Sequence, residues 1–230
     1  MTDRVILAPD GSAASAAEPR WLMDWVSHAA AEVRIVDAAV TAELLEPLLH
    51  RRDIVLVVAL HGRDRRELRF ATLVVTRATG PVVVVPSEWI RRDGPVVVGV
   101  GAEDDLDSTL AFAAAMAAAG GTGLRMIHAW ETTGTGEIPP AWDFGTDSIP
   151  ERQQRALAHL AGLARESHPD LIVTAEAVHG PAISQLADAA RTASLLVVGR
   201  SHRAAIVQAM FGSTARGLLA DLPCPIAVVP

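Results

Sequence analysis

Short apolar runs that do not alternate with polar residues constrain this chain most. Ile54–Leu60, Val82–Val85, Val96–Val100, Leu195–Val198 and Ile226–Val229 are made of Val, Ile and Leu, with Ala and Gly. A strand with one wet face alternates apolar with polar side chains. A strand covered on both faces does not, and that is how strands of a parallel sheet read. None of the runs approaches the ~18 residues that a membrane helix requires.

Ala-rich segments with helical spacing lie between the runs. They are Ala13–His28, with Trp21, Leu22 and Trp25 on one face, Leu106–Ala119, Pro150–Ser167 and Ile183–Thr192. Strand and helix in alternation predict doubly wound α/β layers, joined by right-handed crossovers.

The pattern also repeats. Val5–Gly11 resembles Val96–Ala102, and Pro81–Pro86 resembles Pro225–Pro230. Before each closing unit comes a strand with a His-containing loop: Ile54–Leu60 with His61-Gly62-Arg63, and Leu195–Gly199 with Arg200-Ser201-His202-Arg203. A tandem duplication is the expectation, with domains at 1–87 and 95–230. The stretch 101–199 is about twice as long as its counterpart 10–59. The first domain therefore lacks roughly one strand–helix unit of ~30 residues. Four strands are expected in it and five in the second.

Composition removes several functions. The chain of 230 residues carries a net charge of −7, and all its basic residues are Arg. Residues 1–93 hold 12 Arg and 13 acids, whereas residues 94–230 hold 8 Arg and 14 acids. Nucleic-acid binding needs a basic face, which this balance does not supply. Cys224 is alone, so no internal disulfide and no cysteine-based zinc cage can form. The start MTDRVILAPDGS has no signal-peptide pattern, and a soluble, cytoplasmic protein is expected.

The stretch richest in chemistry is Gly199-Arg200-Ser201-His202-Arg203, then Ala204–Phe211, then Gly212-Ser213-Thr214. A buried strand precedes it and a helical pattern follows. Free N–H groups at a helix N-terminus and its dipole attract phosphate. Glycine lets the backbone come close, and the Ser213 and Thr214 hydroxyls can donate. An ordinary helix cap by Ser213 or Thr214 is the alternative reading.

With these residues in view, the chain resembles the universal stress proteins over nearly its full length. Nucleotide-binding members of that family carry G-x2-G-x9-G-S/T after the fourth strand and an Asp at the end of the first. Gly199, Gly212 and Ser213 match, with nine residues between His202 and Gly212. The resemblance implies two Rossmann-like domains of the adenine nucleotide alpha hydrolase type. It also implies an ATP site, with Mg2+, in the second. Gly199, Arg200, His202, Gly212, Ser213 and Thr214 would hold the phosphates, and Val198, Ala129 and Gly101 would line the adenosine side. Two positions depart from the family: His202 stands for the second loop Gly, and Gly101 for the Asp. A non-nucleotide-binding interaction module of the same fold is therefore the competing expectation.

The first domain keeps Asp10-Gly11-Ser12 but has Ala59 and Thr72-Leu73 in place of loop glycines and Ser, so its site is expected to be dead. No general base or metal cluster points to catalysis, and turnover would amount to slow ATP hydrolysis. His128 reads as a core histidine, and the irregular Glu131–Ile149 as a lid over the second site. Family members dimerise through the last strand. Val82–Val85 and Ile226–Val229 would be hazardous as exposed edges. They are expected to pair antiparallel within the chain as a pseudo-dimer, with which a further homodimer is compatible.

Overall fold

A computed structural model describes residues 5–6, 25, 32–36, 41–60, 65–86, 93–101, 107–130, 149–199 and 223–230. The elements run β1 (Val5–Ile6), β2 (Glu32–Val36), α1 (Ala42–Leu49), β3 (Ile54–Ala59), α2 (Arg65–Arg77), β4 (Val82–Val85) and β5 (Val96–Gly99). They continue with α3 (Asp107–Gly120), β6 (Leu124–Trp130), α4 (Ile149–Ser167), β7 (Val173–His179), α5 (Ala182–Ala190), β8 (Leu195–Gly199) and β9 (Ile226–Val229). The expected helices at 106–119, 150–167 and 183–192 agree with α3, α4 and α5 to within two residues. The segment expected as a helix over 13–28 lies outside the described residues except for Trp25, which is helical.

The strands form one sheet of nine in the order β1-β2-β3-β4-β9-β8-β5-β6-β7. Every described pair is parallel except β4 with β9. There Val82 faces Val228, Val83 faces Ala227 and Val84 faces Ile226. The expected antiparallel pairing of these two runs is thus present. It joins β1–β4 on one side to β5–β9 on the other, in a Rossmann-like α/β arrangement.

Non-alternating runs have the expected physical consequence, a core on each face of the sheet. Ile54, Leu56 and Val58 of β3 pack with Leu45 and Leu49 of α1 and Val74 and Val75 of α2. Val55 and Val57, pointing the other way, join Val33, Ile35, Val83 and the Trp25 ring. Both cores continue across β4 and β9 into the last five strands. Val82, Val83 and Val84 are each at most 1% exposed. Burial contributes about 1.5–3 kcal/mol per such side chain, so this seam holds the two sets of strands together far more firmly than a linker could.

Helix α3 carries little but Ala between its larger side chains. Ala113, Ala114 and Ala117 are buried beside Met116, which brings the helix close to the sheet. Trp25 crosses from the other side of the seam and donates its indole N–H to the Met116 carbonyl. A Cβ on Gly120 would lie 2.9 Å from that indole nitrogen, so the helix end must be Gly for the ring to lie there.

One expectation changes. By sequence, Val5–Gly11 is the counterpart of Val96–Ala102, yet β1 lies at the sheet edge whereas β5 lies between β6 and β8. In the first four strands the position beside β3 belongs to β2. Five residues of β2 register with β3, from Glu32 with Ile54 to Val36 with Val58.

Two variants probe this packing. Val84→Asp places an unpaired carboxylate in the seam and is expected to cost more than about 4 kcal/mol, read by urea unfolding. Trp25→Ala empties a site that both sets of strands share. It is expected to cost about 3–5 kcal/mol in the same measurement, with one unfolding transition becoming two.

Candidate functional site

The last five strands follow the order β9-β8-β5-β6-β7. The chain winds outward from β5 through β6 to β7, then α5 carries it back to β8 on the far side of β5. Helices α3 and α4 cover one face, through Leu110, Leu157 and Ala161, and α5 covers the other, through Leu186 and Ala189. Where winding reverses, the helices before and after the reversal part, leaving a crevice outside the carboxyl ends of the strands. The carboxyl ends of β5 and β8 meet there. The first four described strands advance in a single direction, so no such reversal occurs among them.

Both strands at the reversal end in glycine. Gly99 of β5 is level with Val198 of β8 and Ile127 of β6. A Cβ on Gly99 would meet the Leu186 side chain at 3.0 Å, so this glycine lets α5 sit directly on the strand. Beyond it, Val100 N–H donates to the Ile127 carbonyl at 2.9 Å, extending the ladder by a rung. Gly101 is half-buried at the exit. Gly199 ends β8 and is buried. Ala129 of β6 is half-buried on the side of β6 shared with Ile127.

Of the residues anticipated here, Gly101, Ala129, Val198 and Gly199 are brought together at one end of the sheet. Val198 is fully buried in one core cluster with Leu186, Ile127 and Val228. Arg200, His202, Gly212, Ser213 and Thr214 lie outside the described residues, as do Asp10 and the expected lid over 131–148.

His128 is 6% exposed on β6, as expected of a core histidine. Its Nδ1–H donates to the Val100 carbonyl at 2.9 Å. That bond fixes the tautomer and pins the residue just before Gly101 to β6. The other nitrogen, Nε2, is buried without a hydrogen-bond partner. One rung further, Trp130 and His179 lie opposite each other on β6 and β7, their rings edge to face with centroids 4.7 Å apart. Sequence reading passed over this pair. Its only signal was an aromatic residue closing an apolar strand, and nothing local announces which residues of two neighbouring strands will align.

No group of three His, Cys, Asp or Glu among the described residues is placed to hold a metal ion. Among the same residues no helix is long and apolar enough to cross a membrane.

A mostly parallel sheet with helices on both faces and glycines at its winding reversal defines a Rossmann-like α/β protein. Residues 94–230 match the model of the Universal stress protein family, and the chain belongs to that family. It is similar to Universal stress protein Rv1996 of Mycobacterium tuberculosis (strain ATCC 25618 / H37Rv), with 28% identity over 160 residues, 67% of this chain and 50% of the relative. It is also similar to Universal stress protein Rv2005c of the same organism, with 26% identity over 159 residues, 67% of this chain and 53% of the relative. The chain thus spans about half the length of the curated relatives it matches. Among solved structures, a universal stress protein from Archaeoglobus fulgidus DSM 4304 shares the fold. Its TM-score is 0.51 at 14% identity, covering 76% of this chain and 60% of that one.

His128→Leu removes the anchor of the β5 exit and leaves the Val100 carbonyl without its donor. A loss of about 1–3 kcal/mol is expected, checked by thermal and urea unfolding. The backbone amide of Gly101 is expected to exchange faster in the same variant, read by hydrogen exchange.

Proposed function

We propose that this chain is a regulatory module of the stress response that binds an adenine nucleotide at the carboxyl ends of β5, β6 and β8. The observation that carries the reading is the winding reversal between β5 and β8, closed by Gly99, Gly101 and Gly199, within the segment that matches the family. Glycines at such a crevice let backbone N–H groups approach phosphate, and the base can rest on the apolar ends of neighbouring strands. Ala129, half-buried, serves as that apolar surface, with Val198 packed in the core at the end of β8. Arg200, His202, Gly212, Ser213 and Thr214 follow β8 in sequence and supply the phosphate contacts, with ATP and Mg2+ as the expected occupant.

The two sets of strands read as two tandem units, 1–87 and 95–230, joined as an intrachain pseudo-dimer. The antiparallel β4–β9 pair supports this, because each set is parallel within itself. On this reading the shortened unit binds no nucleotide, since its described strands offer no reversal. The role is binding and signalling in the cytoplasm rather than turnover.

One observation favours a second reading, a protein-interaction module of the same fold. Gly101 ends the β5 exit without a carboxylate to receive ribose hydroxyls, and Glu103, Asp104, Asp105 and Asp107 follow it in sequence. Like charge there opposes a triphosphate unless a cation offsets it.

Calorimetric titration of the full chain with ATP, ADP and GTP, with and without Mg2+, separates the two. The nucleotide reading expects saturable binding of ATP in preference to GTP, weakened at least about tenfold by Gly212→Val, roughly 1.4 kcal/mol. No heat at millimolar nucleotide would support the interaction module, and full affinity in Gly212→Val would remove the assigned loop from the site.

A further inference from the structure

The nine-stranded sheet ends at β7, which among the described residues has a neighbour on one side only. Seven residues of unpaired strand form a template for another chain. The register shows which groups face outward. Leu124 N–H donates to the Ile172 carbonyl, and Gly180 N–H to the Trp130 carbonyl. With Leu124 level with Val173 and Trp130 level with His179, the even-numbered residues of β7 bond to β6. The backbone groups of Val173, Ala175, Ala177 and His179 therefore point away from the sheet.

Three of those four outward carbonyls are taken by side chains. Arg165, in the last turn of α4, donates to the Val173 carbonyl at 2.7 Å. Gln154, three turns earlier on the same helix, donates to the Ala175 carbonyl at 3.4 Å. Gln185 of α5 donates to the His179 carbonyl at 3.2 Å. The donors come from helices on opposite faces of the sheet and close over the edge from both sides. Gly180 has φ +132°, and a Cβ there would lie 2.9 Å from Gln185 Nε2, so the glycine keeps open the space the amide needs.

We propose that Gln154, Arg165 and Gln185 are edge caps that hold β7 closed against the β7 strand of a second copy of this chain. A pairing strand must offer N–H groups to the same carbonyls. It must first displace a charged guanidinium and two amides, and hydrogen bonds of this kind contribute about 0.5–1.5 kcal/mol each. The caps thereby keep the β7 edge out of strand pairing. Bridging charge elsewhere on β7, such as the ion pair of Glu176 with Arg125, adds to this but ties β7 to β6 rather than covering the edge.

The test replaces the donors and keeps the stems: Gln154→Met, Arg165→Met and Gln185→Met together, in the full chain. Light scattering after size exclusion is expected to show the variant at twice the wild-type mass at tens of micromolar. Hydrogen exchange is expected to slow about tenfold or more at the Ala175 and Ala177 amides, which are outward-facing in the wild type. A synthetic peptide of residues 171–180 is expected to bind the variant and not the wild type. A folded variant with wild-type mass, wild-type exchange at those amides and no peptide binding would overturn the proposal. Peptide binding to the wild type would overturn it equally. Should the triple variant not fold, Arg165→Met with Gln185→Met carries the same measurements with the same outcomes. None of them depends on whether a nucleotide binds.

Discussion

The antiparallel contact between Val82–Val85 and Ile226–Val229 is the constraint from which the rest of the molecule follows. Each strand is the last of its own parallel set, apolar on both faces, and neither could remain an edge in water. Pairing them satisfies both ladders at once and makes one sheet of what would be two. Because the pair is antiparallel, the carboxyl ends of β2, β3 and β4 point to one end of the sheet, and those of β5, β6 and β8 to the other. Any two sites formed at the carboxyl ends of the two sets would therefore lie at opposite ends. Trp25 ties the arrangement on one face, since its indole donor and the Gly120 backbone belong to opposite sides of the seam.

The two sets of strands use the same materials to different ends. In the last five, the chain leaves β5 in one direction and returns on the other side, and the return opens a crevice at Gly101 and Gly199. In the first four, each strand takes the next place along. With β1 at the edge beside β2, the described strands of this set contain no reversal, and a parallel sheet without one keeps its crossover helices in step.

Much of this was legible in the sequence, for definite reasons. Non-alternating Val and Ile runs announced strands with two covered faces, and β3, β4, β5, β8 and β9 lie where those runs do. The strand count followed from length, and the seam from the hazard of exposing Val82–Val85. Other elements carried weaker signals. Helix α1 contains Pro47, which ordinarily argues against a helix interior, yet Leu45 and Leu49 are held by burial against β3. Strand β2 alternates Glu32 and Arg34 with Val33 and Ile35, so it reads as an edge. It is central because Glu32 is ion-paired with Arg34 and Arg51 and can be covered. The same guanidinium also holds the Asp53 carboxyl below the usual carboxylate range. The Trp130–His179 pair was not legible, because it depends on how two neighbouring strands register.

The same backbone hazard is met in two ways in one sheet, and the choice of side chain decides which. At β4 and β9 the residues are Val, Ile and Ala, and the two edges are satisfied by each other. At β7 the strand carries Thr, Ala, Glu and His, and the flanking helices place Arg165, Gln154 and Gln185 within reach of its outward carbonyls. An apolar edge is stable only when paired, whereas a polar-capped edge is stable alone. At the β7 margin, growth of the sheet is thus limited by which backbone groups are left unsatisfied, not by the number of strands available.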